Sequence, residues 1–279
     1  MAGTEYGIVA GYDGSPAGGD ALRWAAREAW ARHTVLTVFL ASDLAPPGEP
    51  TLPDLVGLAS QRGEHSVARG LQYAESVVGS DWIRAEVSGQ PPAQALCERS
   101  KAAEMVVLGS HGHGRLPGLL LGSVPWHVAM HGHGRVVIIR GKWRPVNQSP
   151  GPVVAGVDGS AASEGVIAFA FEEAALRDAH LVAVCALADS AGRLGEMHRV
   201  EDEFGQEMDQ KEKEHPDLTV IRQVVVGAPR PALLTAAHDA QMIVVGSRGR
   251  GNLEGMVLGS VAQALLHHSP CPVGVVHPD

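Results

Sequence analysis

The chain has 279 residues, enough for two ordinary domains or one large one, and its 45% hydrophobic and 19% charged residues support a packed core and exclude general disorder. A formal net charge of -9 gives no field that would gather DNA or RNA by phosphate neutralisation, although backbone N–H groups can still hold a small anion. Three cysteines with no C-x-x-C pair argue against a disulfide framework and for a reducing cytoplasm; the N-terminus lacks a basic-then-apolar leader pattern, and no apolar run reaches the roughly 18 residues of a membrane helix.

Taken in chain order, residues 6–12 are a short apolar run that predicts a strand. Residues 17–33 place Leu22, Ala25, Ala26 and Ala29 at helical spacing, and residues 35–40 are a second strand. A loop marked by Pro46, Pro47, Pro50 and Pro53 leads to a second helix over residues 55–78. A strand at 82–87, a helix at 92–101 opening on proline and a strand at 105–108 follow. A helix at 119–130 and a last strand at 136–139 complete the series. The same plan then runs again, with strands near Val153, Leu181, 218–226, Met242 and Val273, and a strongly acidic amphipathic helix at 194–215 that reads as a solvated face.

The duplication is written in the residues. Ile8 to Ser15 reads IVAGYDGS and Val153 to Ser160 reads VVAGVDGS, an offset of 145 residues. Proline, glycine and polar residues at 142–151 mark a linker, giving domains at 1–141 and 152–279. Strands alternating with helices predict a parallel sheet covered on both faces, and five strands per copy predict an α/β doubly wound sheet. Ligands of such sheets bind outside the carboxyl ends of the strands, where the strand order reverses.

Each copy also carries a long glycine pattern between a predicted strand and a predicted helix. Gly109, two residues, Gly112, nine residues, Gly122 and Ser123 recur as Gly246, Gly249, Gly259 and Ser260 with identical spacing. Glycine permits positive φ and close approach of the backbone, successive N–H groups can converge on one anion, and a serine hydroxyl can donate to phosphate. The alternative is that these glycines only turn the chain. No Gly-Lys-Ser/Thr occurs, so this is not a P-loop; Pro117 and Glu254 stand where a Rossmann fingerprint needs glycine.

The glycine pattern after an apolar strand, the V-x-G-x-D-G-S ending of the first strand and the run Ser269-Pro270-Cys271-Pro272-Val273 together resemble the universal stress protein family, as two tandem domains over nearly the whole chain. The resemblance implies a strand order of 3-2-1-4-5, domains paired about a pseudo-twofold axis through their last strands, and ATP binding. Carried across, it makes Gly109, Ser110, His111, Gly112, His113, Gly114, Arg115, Gly122 and Ser123 the phosphate cradle of the first copy. Gly246, Ser247, Arg248, Gly249, Arg250, Gly251, Asn252, Gly259 and Ser260 form that of the second. Gly11 and Gly156 would let the ligand lie near the end of the first strand, Asp13 and Asp158 would approach the nucleotide, and backbone near Leu40 and Ala186 would meet adenine. Each aspartate also has a plain reading as a turn or capping residue; beside a triphosphate it requires the ribose or a Mg²⁺ ion.

The copies differ where the first has His111 and His113 and the second Arg248 and Arg250. If those side chains reach phosphate, the arginine site binds tighter at neutral pH and the histidine site weakens as pH rises; if they face solvent, only the backbone binds. The HGHG runs at 111–114 and 131–134 lack a third ligand, so no metal site is assigned. No catalytic residue is assigned. The expected function is a cytoplasmic, dimeric, ATP-binding regulator of stress response or growth with a protein partner the sequence does not specify. A slow ATPase and a nucleotide-free scaffold are the alternatives.

Overall fold

The computed structural model describes residues 5–41, 51–113, 121–141, 151–160, 162–187, 194–249 and 258–278. The chain divides into two compact units, Met1–Ile139 and Arg140–Asp279.

In the first unit the elements run β1 (Ile8–Tyr12), α1 (Pro16–Arg32), β2 (Leu36–Ala41), α2 (Leu52–Gln61), α3 (His65–Val78), β3 (Ile83–Ser88), α4 (Pro92–Ser100), β4 (Met105–Gly109), α5 (Ser123–His131) and β5 (Arg135–Ile139). The strands form a parallel sheet in the order β3-β2-β1-β4-β5. Ile8 stands opposite both Leu36 and Met105, so β1 and β4, the pair at which the strand order reverses, end side by side. Helices cover both faces of these strands, which is why Ile8, Val9, Val106 and Val107 have no solvent exposure and the strands read as unbroken apolar runs.

The second unit repeats this as β6 (Val153–Val157), α6 (Ser163–Leu176), β7 (Leu181–Leu187), α7 (Leu194–Glu214), β8 (Val220–Val226), α8 (Pro229–Ala236), β9 (Met242–Gly246), α9 (Ser260–His268) and β10 (Val273–Val276). Its sheet, in the order β8-β7-β6-β9-β10, is again parallel. The predicted fold class and the order 3-2-1-4-5 within each half are therefore correct. A buried ion pair is also duplicated: Arg32 holds Glu28 at 2.7 Å and Glu104 at 2.8 Å, and Arg177 holds Glu173 at the same place in the second unit. Among the described residues no helix is long and apolar enough to cross a membrane.

Three expectations need correction. The single helix expected over residues 55–78 is two helices, because Gly63 takes φ +77° and turns the chain out of α2 before α3 begins. Pro53, read as a loop marker, lies inside the first turn of α2, where its missing N–H costs nothing. The turn is closed by a capping box in which Thr51 and Asp54 bond each other's backbone N–H groups. The helix expected from residue 119 begins at Ser123; residues 114–120 lie outside the described residues.

Candidate functional site

The site in each unit is assembled from three chain segments that meet at the carboxyl ends of the strands where the order reverses. The first is the turn after β1. Gly14 has φ +83° and Gly159, in the second unit, φ +68°, so the glycine of each Asp-Gly-Ser turn is there for its left-handed backbone. Ser15 then caps α1, its hydroxyl accepting from Gly18 N–H at 3.0 Å ahead of Pro16. Ser15 was not among the predicted residues, although Ser-Pro before a periodic run is a readable helix start.

The second segment is the chain leaving β4 or β9. Ser110 N–H donates to Ile139 carbonyl at 3.0 Å and its carbonyl accepts from Gly122 N–H at 2.8 Å. In the second unit Ser247 N–H donates to Val276 carbonyl at 2.8 Å and its carbonyl accepts from Gly259 N–H at 2.7 Å. Each excursion from strand to helix is thus closed at its base by the same pair of main-chain bonds. The third segment is the start of the following helix. Gly122 and Gly259 occupy the N-cap positions, neither supplies a side-chain cap, and Ser123 and Ser260 stand exposed at the first helical positions. Among the described residues no side chain caps the leading N–H groups of α5 and α9, the arrangement that receives an anion at a helix start.

Asp13 stitches the first two segments together, and Asp158 closes its own turn while lying close against Gly249 of the second. Asp13 Oδ1 accepts from Ser15 N–H at 2.9 Å and Oδ2 from His113 N–H at 3.3 Å. Asp158 Oδ1 accepts from Ser160 N–H at 3.1 Å and from the Ser163 hydroxyl at 3.4 Å. The two aspartates thus accept from the N–H groups of their own turns, and the Asp13 carboxylate also bonds the loop after β4. Burial pushes the phenol of the preceding Tyr12 up, Arg23 opposing and Asp13 adding, and its hydroxyl donates to Ser66 carbonyl at 2.7 Å.

The glycines do not work as expected. Gly109, Gly112, Gly122, Gly246, Gly249 and Gly259 all lie outside the positive-φ region. Close approach is the reason for four of them. A Cβ at Gly112 would overlap Asp13 Oδ2, and one at Gly249 would overlap Asp158 Oδ2. A Cβ at Gly109 would lie 2.5 Å from the backbone of Ala17 in α1, and one at Gly246 would lie 2.8 Å from Ala162 Cβ. Gly11 and Gly156, both partly exposed, are packed against side chains on their Cβ side. The space a Cβ would take is filled by Leu108 and Leu96 in one unit and by Leu233 and Val245 in the other.

The side chains that distinguish the cradles also differ in what they hold. His111 Nδ1 pairs with Ser110 Oγ at 2.9 Å, and His113 Nε2 pairs with Asp13 carbonyl at 3.0 Å, so both imidazoles serve the loop itself. Arg248 is exposed, and its carbonyl accepts from the Ser160 hydroxyl at 3.4 Å. Gly114, Arg115, Arg250, Gly251 and Asn252 lie outside the described residues.

A model described as the universal stress protein family matches residues 7–140 and, a second time, residues 151–277. A universal stress protein of Mycolicibacterium smegmatis is 33% identical over 290 residues, covering 99% of this chain and 98% of that one. One from Mycobacterium tuberculosis is 36% identical over 299 residues, covering 97% and 94%. Among solved structures, a universal stress protein from Archaeoglobus fulgidus has a TM-score of 0.67 at 21% identity and covers 98% of each chain, a likeness that shows the shared fold. With its domain matched twice and its relatives aligned end to end, the chain belongs to the universal stress protein family.

Proposed function

We propose that each unit binds one ATP at its cradle, and that the chain acts as a nucleotide-dependent regulator of stress response or growth, through a protein partner or its own dimeric assembly. One observation carries this reading: in both units the same two main-chain bonds close the loop after the fourth strand and set a glycine N-cap, which has no capping side chain, beside a serine hydroxyl at the next helix start. The residues present fit a phosphate chain. The N–H groups at the starts of α5 and α9 and the hydroxyls of Ser123 and Ser260 are donors suited to phosphate oxygens. The glycines keep the loop backbone pressed against the carboxylate that positions it.

Asp13 and Asp158 act mainly as positioning residues. A carboxylate offers about four acceptor sites, so capacity remains for a ribose hydroxyl or for the hydration shell of Mg²⁺ accompanying the phosphates. Bound ATP would supply charge and ordering free energy to the cradle. This reading assigns no catalytic residue; the carboxylates at the cradle accept from Ser15, His113, Ser160 and Ser163. The three cysteines are buried thiols, which suits the cytoplasm as the proposed compartment.

The test is to purify the protein without added nucleotide, denature it, and quantify adenine nucleotides by chromatography and mass spectrometry. ATP near two equivalents per chain is the expected result. Predominantly ADP, with turnover of added ATP, would replace the regulator reading by the slow ATPase. No nucleotide, together with no heat of ATP binding in the presence of Mg²⁺, would leave the glycines as packing residues of a scaffold and overturn the proposal.

A further inference from the structure

β3 and β8, each an edge strand of its own unit's sheet, are treated very differently. In the first unit α2 and α3 both pack against β3, and the strand carries Arg84 and Glu86, the latter paired with Arg99 of α4. Charged side chains and covering helices are the usual protection of a sheet edge. In the second unit the long α7 stands where α2 and α3 stand in the first. Five of the seven residues of β8, Ile221, Arg222, Gln223, Val224 and Val226, are exposed. Ile221 keeps 42%, Val224 41% and Val226 59% of its surface exposed, and alternation places Ile221 on one face and the two valines on the other. Arg222 is the strand's one charged residue, and it is turned to α7, where Asp209 holds it at 2.6 Å and Glu212 at 2.8 Å.

We propose that β8 is a self-association edge, pairing antiparallel with β8 of a second copy of this chain. The edge position supplies a row of main-chain donors and acceptors facing away from β7, so the matching occupant is a strand. The sequence of β8 then selects a copy of itself. A two-fold axis perpendicular to a continuous antiparallel sheet requires one residue to stand opposite its own counterpart. With Gln223 in that place all seven residues are paired: Val220 meets Val226, Ile221 meets Val225, and Arg222 meets Val224. Every exposed aliphatic residue of the strand gains an aliphatic neighbour or the stem of Arg222, and the two Gln223 amides face one another as mutual donor and acceptor. A seven-residue strand pair buries less than the ~1,200 Å² lower bound of a standard interface, and both copies carry a net charge of -9, so the dimer is reversible and strengthens with salt.

The register makes this testable with one cysteine. Opposed residues in an antiparallel pair have Cα atoms about 4.5–5.5 Å apart, within disulfide range, whereas a residue offset by two is about 7–8 Å away. Gln223→Cys is therefore expected to give a covalent dimer under mild oxidation, and Val224→Cys is expected to give at least tenfold less. Sedimentation velocity of the unmodified chain should show a monomer–dimer equilibrium that Val226→Lys shifts at least tenfold toward monomer, while Trp30→Ser, at an exposed position of α1, leaves it unchanged. Because a variant can fail to fold, hydrogen exchange of the unmodified chain at low and high concentration is the independent readout; amides of residues 220–226 should gain protection as concentration rises. A chain that remains monomeric with β8 equally unprotected at every concentration, or a dimer in which neither substitution matters, overturns the proposal.

Discussion

The contact between Gly249 and Asp158 is the sharpest place to test how the cradle is built. A Cβ at Gly249 falls well inside the 3.0 Å that real Cβ atoms keep from other heavy atoms, and the atom it meets is Asp158 Oδ2. That carboxylate cannot simply swing away, because its other oxygen accepts from Ser160 N–H and the Ser163 hydroxyl. Gly249→Ala is therefore an overpacking change, with an expected cost of ~1–3 kcal/mol. At ~2–4 °C per kcal/mol for a chain of this size, the thermal midpoint should fall by about 2–12 °C. Asp158→Ala alone removes a turn and helix-start acceptor, a loss of ~0.5–2 kcal/mol. In the double variant the clashing carboxylate is gone, so the alanine methyl is accommodated and the total cost should be close to that of Asp158→Ala alone. The coupling expected from a double-mutant cycle in denaturant unfolding is thus about 1–3 kcal/mol. The same cycle at Gly112 and Asp13 should give the same sign. Additive costs at both sites would refute the contact as the reason for these glycines, and the conformational freedom expected from the sequence would regain its place.

Three further outcomes follow from the packing. Arg177→Met strips buried Glu173 of its guanidinium partner and should destabilise the second unit by ~3–5 kcal/mol, measured by urea unfolding, with the double Glu173→Leu/Arg177→Met variant recovering most of the loss. Burial pushes the Cys271 thiol up to about 11 from 9.0. A folded-state value raised in this way contributes stability that is present below pH 9 and lost as pH rises toward 11; at ~1.4 kcal/mol per pH unit the loss approaches about 3 kcal/mol, and Cys271→Ala should flatten that part of the stability profile. Gly63→Ala places a side chain at φ +77° between α2 and α3 and should cost about 1 kcal/mol by chemical denaturation, whereas Gly57→Ala inside α2, where a Cβ meets nothing within 4 Å, should stabilise by a few tenths.

The strands and the duplication were legible because they depend on properties a sequence states directly. Runs such as Met242-Ile243-Val244-Val245 are apolar on both faces only when both faces are covered, and an offset of 145 residues between two Asp-Gly-Ser turns needs no coordinates. The break between α2 and α3 was not legible in the same way. Leu55, Ala59, Val67, Ala68, Leu71 and Ala74 are all core residues, so the apolar periodicity runs through Gly63 with little sign that the helix stops. Thr51-x-x-Asp54 does mark the start of α2, but it is embedded in prolines that read as loop.

The glycines show a different limit. A sequence reports that a position is glycine; it does not report whether φ or contact is the reason, and here the two causes are divided between neighbouring segments. Gly14 and Gly159 answer to φ, and Gly112 and Gly249 answer to the carboxylates of Asp13 and Asp158, the residues just before Gly14 and Gly159 in the Asp-Gly-Ser turns. The turn and the cradle are therefore one construction. The left-handed glycine aims the chain into the first helix, the aspartate reaches across to the other loop, and the second glycine lets it arrive. A substitution at any of the three should disturb the helix-start N–H groups without touching them. For that reason, loss of nucleotide from an Asp13 or Asp158 variant would not by itself make the aspartate a ligand contact. Only a variant that keeps the loop and removes the charge, Asp158→Asn, separates the two: retained nucleotide would assign the carboxylate to positioning, and lost nucleotide with an unchanged unfolding midpoint would assign it to the ligand or its Mg²⁺.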